Sequence, residues 1–228
     1  MKMKKMTTTL ALALTINMAS AVIAVPQVQA QENTNEELQS DETVSTEQVQ
    51  KFDKFVRYNE NTRLYEIDVT AKDNLDSSEY QELEKAINNA NICLSTIDFN
   101  TGDLVEVVDA HNSYLYKNNE IVKDSNNYNE SVKRASFKEG VNKVVTYWWG
   151  ANVYIKKSTL RLAGNGATVA GIWISEPFIS KVAATAGVAV SLAPGGIAFS
   201  YNYAKGGISS LAGLPGGSLN GITKVWWQ

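Results

Sequence analysis

Apolar and polar positions alternate through "RLYEIDVT" (63–70), with Tyr65, Ile67 and Val69 on one side and Leu64, Glu66 and Asp68 on the other. A period of two predicts a strand with one buried face. The period then changes. Tyr80, Leu83, Ile87, Ala90, Leu94 and Ile97 recur at spacings of three and four, which sets one stripe along a helix. Asp76 or Ser77 can cap that helix, with Glu79 or Gln81 supplying the return half of a capping box. Two to three heptads is short for a coiled coil, so a helix lying on a small sheet is the expectation. Two hairpins are predicted next, one over 98–108 turning at Asn100-Thr101-Gly102-Asp103, the other over 114–122 turning at Asn118-Asn119. Asp98, Asn100 and Asp103 loosely match a calcium loop, but the glycine stands one position early and Glu106 comes too soon.

Further on, "TYWWGANVYIKKSTLRLA" (146–163) alternates as a strand, with Gly150 as a bulge or bend. Residues 182–204 carry no charge between Lys181 and Lys205. Pro194-Gly195-Gly196 breaks this run, leaving at most one helix over 179–193. Fifteen residues would span about 22 Å, short of the ~30 Å hydrocarbon core of a bilayer. "GITKVWWQ" (221–228) alternates again and reads as a strand. The fold class expected is α+β. A small acidic α+β amino-terminal part precedes a Gly/Ala/Trp-rich part whose strands flank one or two short apolar helices.

The amino terminus sets the compartment. Lys2, Lys4 and Lys5 precede a mostly apolar stretch over 7–25, and Val28-Gln29-Ala30 supplies small residues for a signal peptidase. Cleavage is expected after Ala30, which makes the protein secreted, and the short n-region suits a bacterium. Residues 31–50 hold six acids and no base, and are expected to be a disordered lead. An acidic α+β domain over 51–122, a linker over 123–140 and a cationic Gly/Trp-rich domain over 141–228 complete the expected organisation. Within the linker, Lys133-Arg134 is a candidate processing site.

Charge sharpens the division. Residues 31–140 carry 23 acidic and 11 basic side chains, whereas 141–228 carry seven basic side chains against Glu176 alone. The second part also holds thirteen of the fifteen glycines and all five tryptophans. Such asymmetry points to a charged partner surface, either an anionic membrane or the chain's own acidic half.

Site chemistry is sparse. His111 is the only histidine, and neither CxxC nor HExxH occurs, so no metal site is expected. A triad could recruit His111, but no G-x-S-x-G elbow accompanies it. "GNG" (164–166) lacks the lysine and spacing of a phosphate loop. Cys93 is the only cysteine and reads as a small semi-buried apolar residue. No enzyme, cofactor, nucleic-acid partner or small-molecule substrate is expected, and a cell-wall hydrolase or protease is left without its site.

Tryptophan and lysine then carry the functional expectation. Indole rings favour the lipid–water interface, and each lysine near an anionic surface adds about 1 kcal/mol. Trp148, Trp149, Trp173, Trp226 and Trp227 are the candidate interfacial anchors, with Lys156, Lys157 and Arg161 drawn to headgroups. The apolar segment around 182–199 would insert as a broken hairpin. In layout, and in "TYWWG" (146–150), "AGIWI" (170–174) and "KVWWQ" (224–228), the chain resembles precursors of secreted bacteriocins and other toxin peptides of Gram-positive bacteria. It also resembles secreted proteins of bacilli with a "YEID" strand, a helix and a later W-W-G tail. It departs from them in having no double-glycine leader site, since its glycine pairs fall after position 194, and no cysteine bridges. The resemblance implies antimicrobial or toxin activity, an anionic bacterial membrane as target and an immunity protein or receptor as partner. The alternative is a secreted binding or signalling module, such as an inhibitor or cell-envelope protein, whose tryptophans form a core or a protein interface.

Overall fold

The computed structural model describes residues 46–122, 139–162, 166–185, 187, 195–207 and 219–228. Helix α1 (Thr46–Asp53) leads into a hairpin of β1 (Val56–Asn59) and β2 (Leu64–Ile67). The Asn59 side chain accepts from the backbone N–H groups of Asn61 and Thr62 to shape that turn. The expected lead over 31–50 is therefore corrected at its end: the chain is already helical at Thr46. In β2, Tyr65 is buried as its alternation requires, while Val69 lies beyond the strand and is 85% exposed.

After the short α2 (Ala71–Asn74) comes α3 (Ser77–Thr96). Asp76 caps it, accepting from Ser78 and Glu79 backbone N–H groups at 2.8 and 2.9 Å, and Glu79 returns a bond to the Asp76 N–H. Leu83, Ile87, Ala90 and Leu94 are buried along the predicted stripe, joined by Cys93. Residues 98–103 are not half of a hairpin. They form a loop from α3 into β3 (Leu104–Val108), because the Asp98 carboxylate turns back onto the Asn100 N–H. That contact, with the Asp103 carboxylate on the Ala170 N–H, engages one oxygen of each aspartate in the loose calcium-loop match with backbone N–H groups.

The 114–122 hairpin is present as β4 (Ser113–Lys117) and β5 (Glu120–Ile121). Asn118 and Asn119 both take positive φ, 49° and 69°, as a primed two-residue turn demands. Beyond it, β6 (Lys143–Tyr147) and β7 (Gly150–Lys156) form a second hairpin. The single strand expected through 146–163 is thus folded back on itself at the two-residue turn Trp148-Trp149, and it ends at Lys156, where a helix takes over. Helix α4 (Lys157–Leu162) follows, then a hairpin of β8 (Gly166–Val169) and β9 (Ile172–Ser175). Helix α5 (Glu176–Thr185), strand β10 (Gly196–Asn202), helix α6 (Tyr203–Gly206), a 3-10 turn (Leu219–Gly221) and β11 (Ile222–Trp227) complete the chain. The expected helix over 179–193 is α5, which starts three residues earlier; positions 186 and 188–194 lie outside the described residues.

Seven strands form one sheet in the order β11-β10-β7-β6-β3-β4-β5. All neighbours are antiparallel except β3 and β6, which run parallel from Leu104 opposite Lys143 to Val107 opposite Thr146. This corrects the division into two domains: strands from 51–122 and 141–228 are joined edge to edge in a single sheet. All described residues fall in one compact unit, 37–228.

The pairing register sorts the sheet into two faces. Val225, Phe199, Val153, Val144, Val105 and Tyr116 stand in one row across six strands. They pack in one core with Leu83, Ile87 and Leu94 of α3 and Phe178, Ile179 and Val182 of α5. This is the inner face. The expectation that 182–199 inserts into a membrane as a broken hairpin is corrected here: Val182 is 1% exposed in the core, and Phe199 lies on the inner face of a central strand.

Candidate functional site

On the opposite, outer face the register sets two cross-strand rows. Trp226, Ala198, Tyr154, Lys143 and Leu104 form one, from β11 to β3. Lys224, Ser200, Asn152, Val145, Glu106 and Leu115 form the other, reaching β4. Alternation in β7 and β10 produces this directly: Asn152, Tyr154 and Lys156 point out while Val153 and Ile155 point in. Ala198, Val145, Leu115 and Leu104 form a buried apolar floor that is separate from the inner core.

Larger side chains rise around that floor. Tyr154 and Trp226 meet edge to face across Ala198, their centroids 5.7 Å apart. Lys224 Nζ lies 5.9 Å from the Trp226 ring centre, a cation–π contact. Tyr147 stacks on Trp149 at 5.0 Å with planes 14° apart. Lys143 and Glu106 form an ion pair at 2.5 Å, and Ser113 donates to the same carboxylate. Ser200 Oγ donates to Asn152 Oδ1 at 2.7 Å.

The electrostatics follow from half-burial. Desolvation pushes the Glu106 carboxyl up, but the bonds from Lys143 and Ser113 and the Lys143 charge outweigh it, and the net shift is downward. Burial raises the Tyr147 and Tyr154 hydroxyls, and the Glu106 charge adds to both. These phenols stay protonated at neutral pH and present donors. The arrangement can bind through aromatic area, phenol and amide hydrogen bonds and a fixed ion pair.

The eight candidate interfacial residues do not gather. Trp148 is 1% exposed, packs against Phe52 and donates to Asp53, so its assignment as a membrane anchor is corrected: it is a core residue. Trp149 is half-buried at the β6–β7 turn, whereas Trp227 pairs with Ile197 at the other end of β10, about 16 Å along the strands. Trp227 packs on the inner core and Trp226 stands on the outer face. Trp173 is 44% exposed on the separate β8–β9 hairpin, packed over Gly166. Lys156 and Lys157 are half-buried and Arg161 is exposed. Of the eight, only Trp226 stands within the two outer-face rows; Lys156 lies on the same face at the end of β7. The candidate processing positions Ala30, Lys133 and Arg134 lie outside the described residues.

Tyr147, Tyr154, Lys143 and Glu106 were not singled out from the sequence. Their signal was the alternation within 143–156, once Trp148-Trp149 is read as a turn. Among the described residues, no three acidic, histidine or cysteine side chains converge as metal ligands, and no helix is long and apolar enough to cross a membrane. No protein-family model matches the chain, and neither the curated proteins nor the solved structures contain a match.

Proposed function

We propose that this chain is a secreted, non-enzymatic binding module whose outer sheet face docks a partner protein. One observation carries the reading: Trp226, Tyr154 and Tyr147 are each half-buried on one sheet face around a fixed Lys143–Glu106 pair, with Trp149, which also packs against the inner core, stacked on Tyr147. Tyrosine and tryptophan are enriched among the few residues that carry most of the energy in protein interfaces, and a rigid sheet lowers the cost of ordering them. The separate apolar floor beneath them supports the same reading. An immunity protein, a receptor or a cell-envelope protein is the kind of partner such a face serves.

The membrane-active reading stands second. It draws support from Trp173, 44% exposed, and from the exposed cation Arg161. Pelleting assays separate the two. The full chain is mixed with whole Gram-positive cells and, separately, with anionic liposomes. Docking through the outer face predicts retention on cells that falls at least about tenfold in Tyr154→Ala/Trp226→Ala, as loss of two aromatic anchors would give. It also predicts no capture by liposomes. Liposome capture that Trp173→Ala abolishes would replace this reading with the membrane one.

A further inference from the structure

Strand β11 closes one edge of the seven-stranded sheet and pairs, among the described residues, with β10 alone. The phase of its ladder is fixed by Gln228, whose N–H donates to the Gly196 carbonyl. Backbone groups alternate along an antiparallel strand, so those of Trp226 and Lys224 turn toward β10. The N–H and C=O groups of Val225 and Trp227 turn away from β10, and among the described residues no backbone group pairs with them. A run of unpaired edge groups is a template for another strand.

Lys224 decides which strand it accepts. Edge lysines are a common guard against indiscriminate pairing. Parallel in-register stacking would set Lys224 against Lys224 of the next copy, and so would an antiparallel pairing centred on Lys224. An antiparallel pairing centred on Val225 behaves differently. It matches Val225 with Val225 of a second copy as a hydrogen-bonded pair. It sets each Lys224 directly opposite the other copy's Trp226 on the outer face. That pair is of the close, non-hydrogen-bonded kind, with Cα atoms about 4.5 Å apart. Within one chain Lys224 already lies against Trp226, so the side chains have the right reach. The register shift at Ser200/Tyr201 leaves Thr223 as an extra residue on β11, which ends the matched stretch there.

We propose that two copies of this chain associate through β11, antiparallel about Val225, with reciprocal Lys224–Trp226 contacts. The partner surface is self-complementary, as a two-fold interface requires. The paired stretch is short, so the association is weak and strongly concentration-dependent. It continues both outer faces across the junction, and it does not depend on what those faces bind.

The test is the mass of the purified full chain, followed by light scattering from dilute to concentrated solution. Mass should rise from one chain toward two, while the Val225 and Trp227 amides slow in hydrogen exchange. Lys224→Glu is exposed and leaves the β10 ladder intact, and it should weaken association about tenfold by removing two cation–π contacts. Exchanging the pair, Lys224→Glu with Trp226→Lys, should restore it through two cross-strand ion pairs. A mass of one chain at every concentration overturns the proposal. So does a dimer that Lys224→Glu leaves unchanged, or one in which those two amides stay in fast exchange.

Discussion

The Trp148 indole N–H donates to the Asp53 carboxylate at 2.9 Å, joining the end of α1 to the turn between β6 and β7. Phe52 packs on the same indole, with centroids 6.2 Å apart. A ring placed so deeply makes the acidic amino-terminal segment part of one core with the cationic part. Neither tryptophan of the turn takes positive φ. The primed geometry usual for two-residue hairpins is therefore absent, and burial of Trp148 helps to hold the turn instead. Truncating it should be severe: Trp148→Ala is expected to lose about 4 kcal/mol of stability. Asp53→Ala should lose about 2 kcal/mol, the worth of a hydrogen bond to a carboxylate. Urea unfolding followed by far-ultraviolet circular dichroism measures both, and a Trp148→Ala loss under about 1 kcal/mol would place the ring outside the core.

The Glu106–Lys143 pair predicts an acid limb. Its carboxyl is held below the ordinary carboxylate range when folded, so the unfolded chain binds the proton more readily. The stability it contributes is present above the unfolded value, near ~4.3, and is lost as pH falls through the folded value. Glu106→Gln should flatten this part of the stability–pH curve. It should also lower neutral-pH stability by about 2 kcal/mol, because Lys143 is left half-buried without its counter-charge. Denaturation midpoints measured between neutral pH and pH 3 test the shape.

Helix α3 was legible almost residue by residue, because stripe and capping box are local signals. Asp76→Ala should cost about 1 kcal/mol, and Asp76→Ser should recover most of it. The Asn118-Asn119 turn and β11 were legible for the same reason. The Trp148-Trp149 turn was not, since "TYWWGANVY" keeps its alternation on both sides. Its trace is a change of parity: inward residues are Val144 and Thr146 before the turn, then Ala151, Val153 and Ile155 after it. The single sheet was illegible for a different reason. Its two halves meet at the parallel β3–β6 pair, and no local pattern announces a partner 39 positions away. Trp148 was misplaced as an interfacial anchor for a related reason, since composition cannot separate an interfacial tryptophan from a core one.

Gly171 predicts a further sensitivity. With Ala170 it forms the β8–β9 turn at φ 48° and 81°, and a methyl group on it would stand 2.7 Å from Asp98 Cβ and 2.8 Å from Asp98 N. That tip is docked on the α3–β3 loop through the Asp98 N–H to Ala170 carbonyl bond and the Ala170 N–H to Asp103 bond. Gly171→Ala should cost about 2 kcal/mol or more, adding left-handed strain to a backbone clash. Limited proteolysis should then cut first within 166–171. Unchanged stability would mean that the tip is not seated on Asp98.

Cys93 and its neighbours set the alkaline limit. The thiol is fully buried beside the Tyr203 hydroxyl, and burial pushes it up to about 11, with the Tyr203 bond pulling the other way. Burial likewise raises Tyr203, and Tyr65, whose hydroxyl reaches the Thr146 carbonyl at 2.9 Å. A raised acid holds its proton longer in the folded chain than in the unfolded one, where a thiol ionises near ~8.5. The associated stability is therefore complete below that value and is lost as pH climbs through the folded one. Cys93→Ala should flatten the thiol's share of that loss, at about 1 kcal/mol for the small cavity at neutral pH. In the native chain Cys93 should ignore an aromatic disulfide reagent at pH 8 and react fully once urea unfolds it. Prompt reaction without denaturant would contradict both the burial of the thiol and the alkaline limb derived from it.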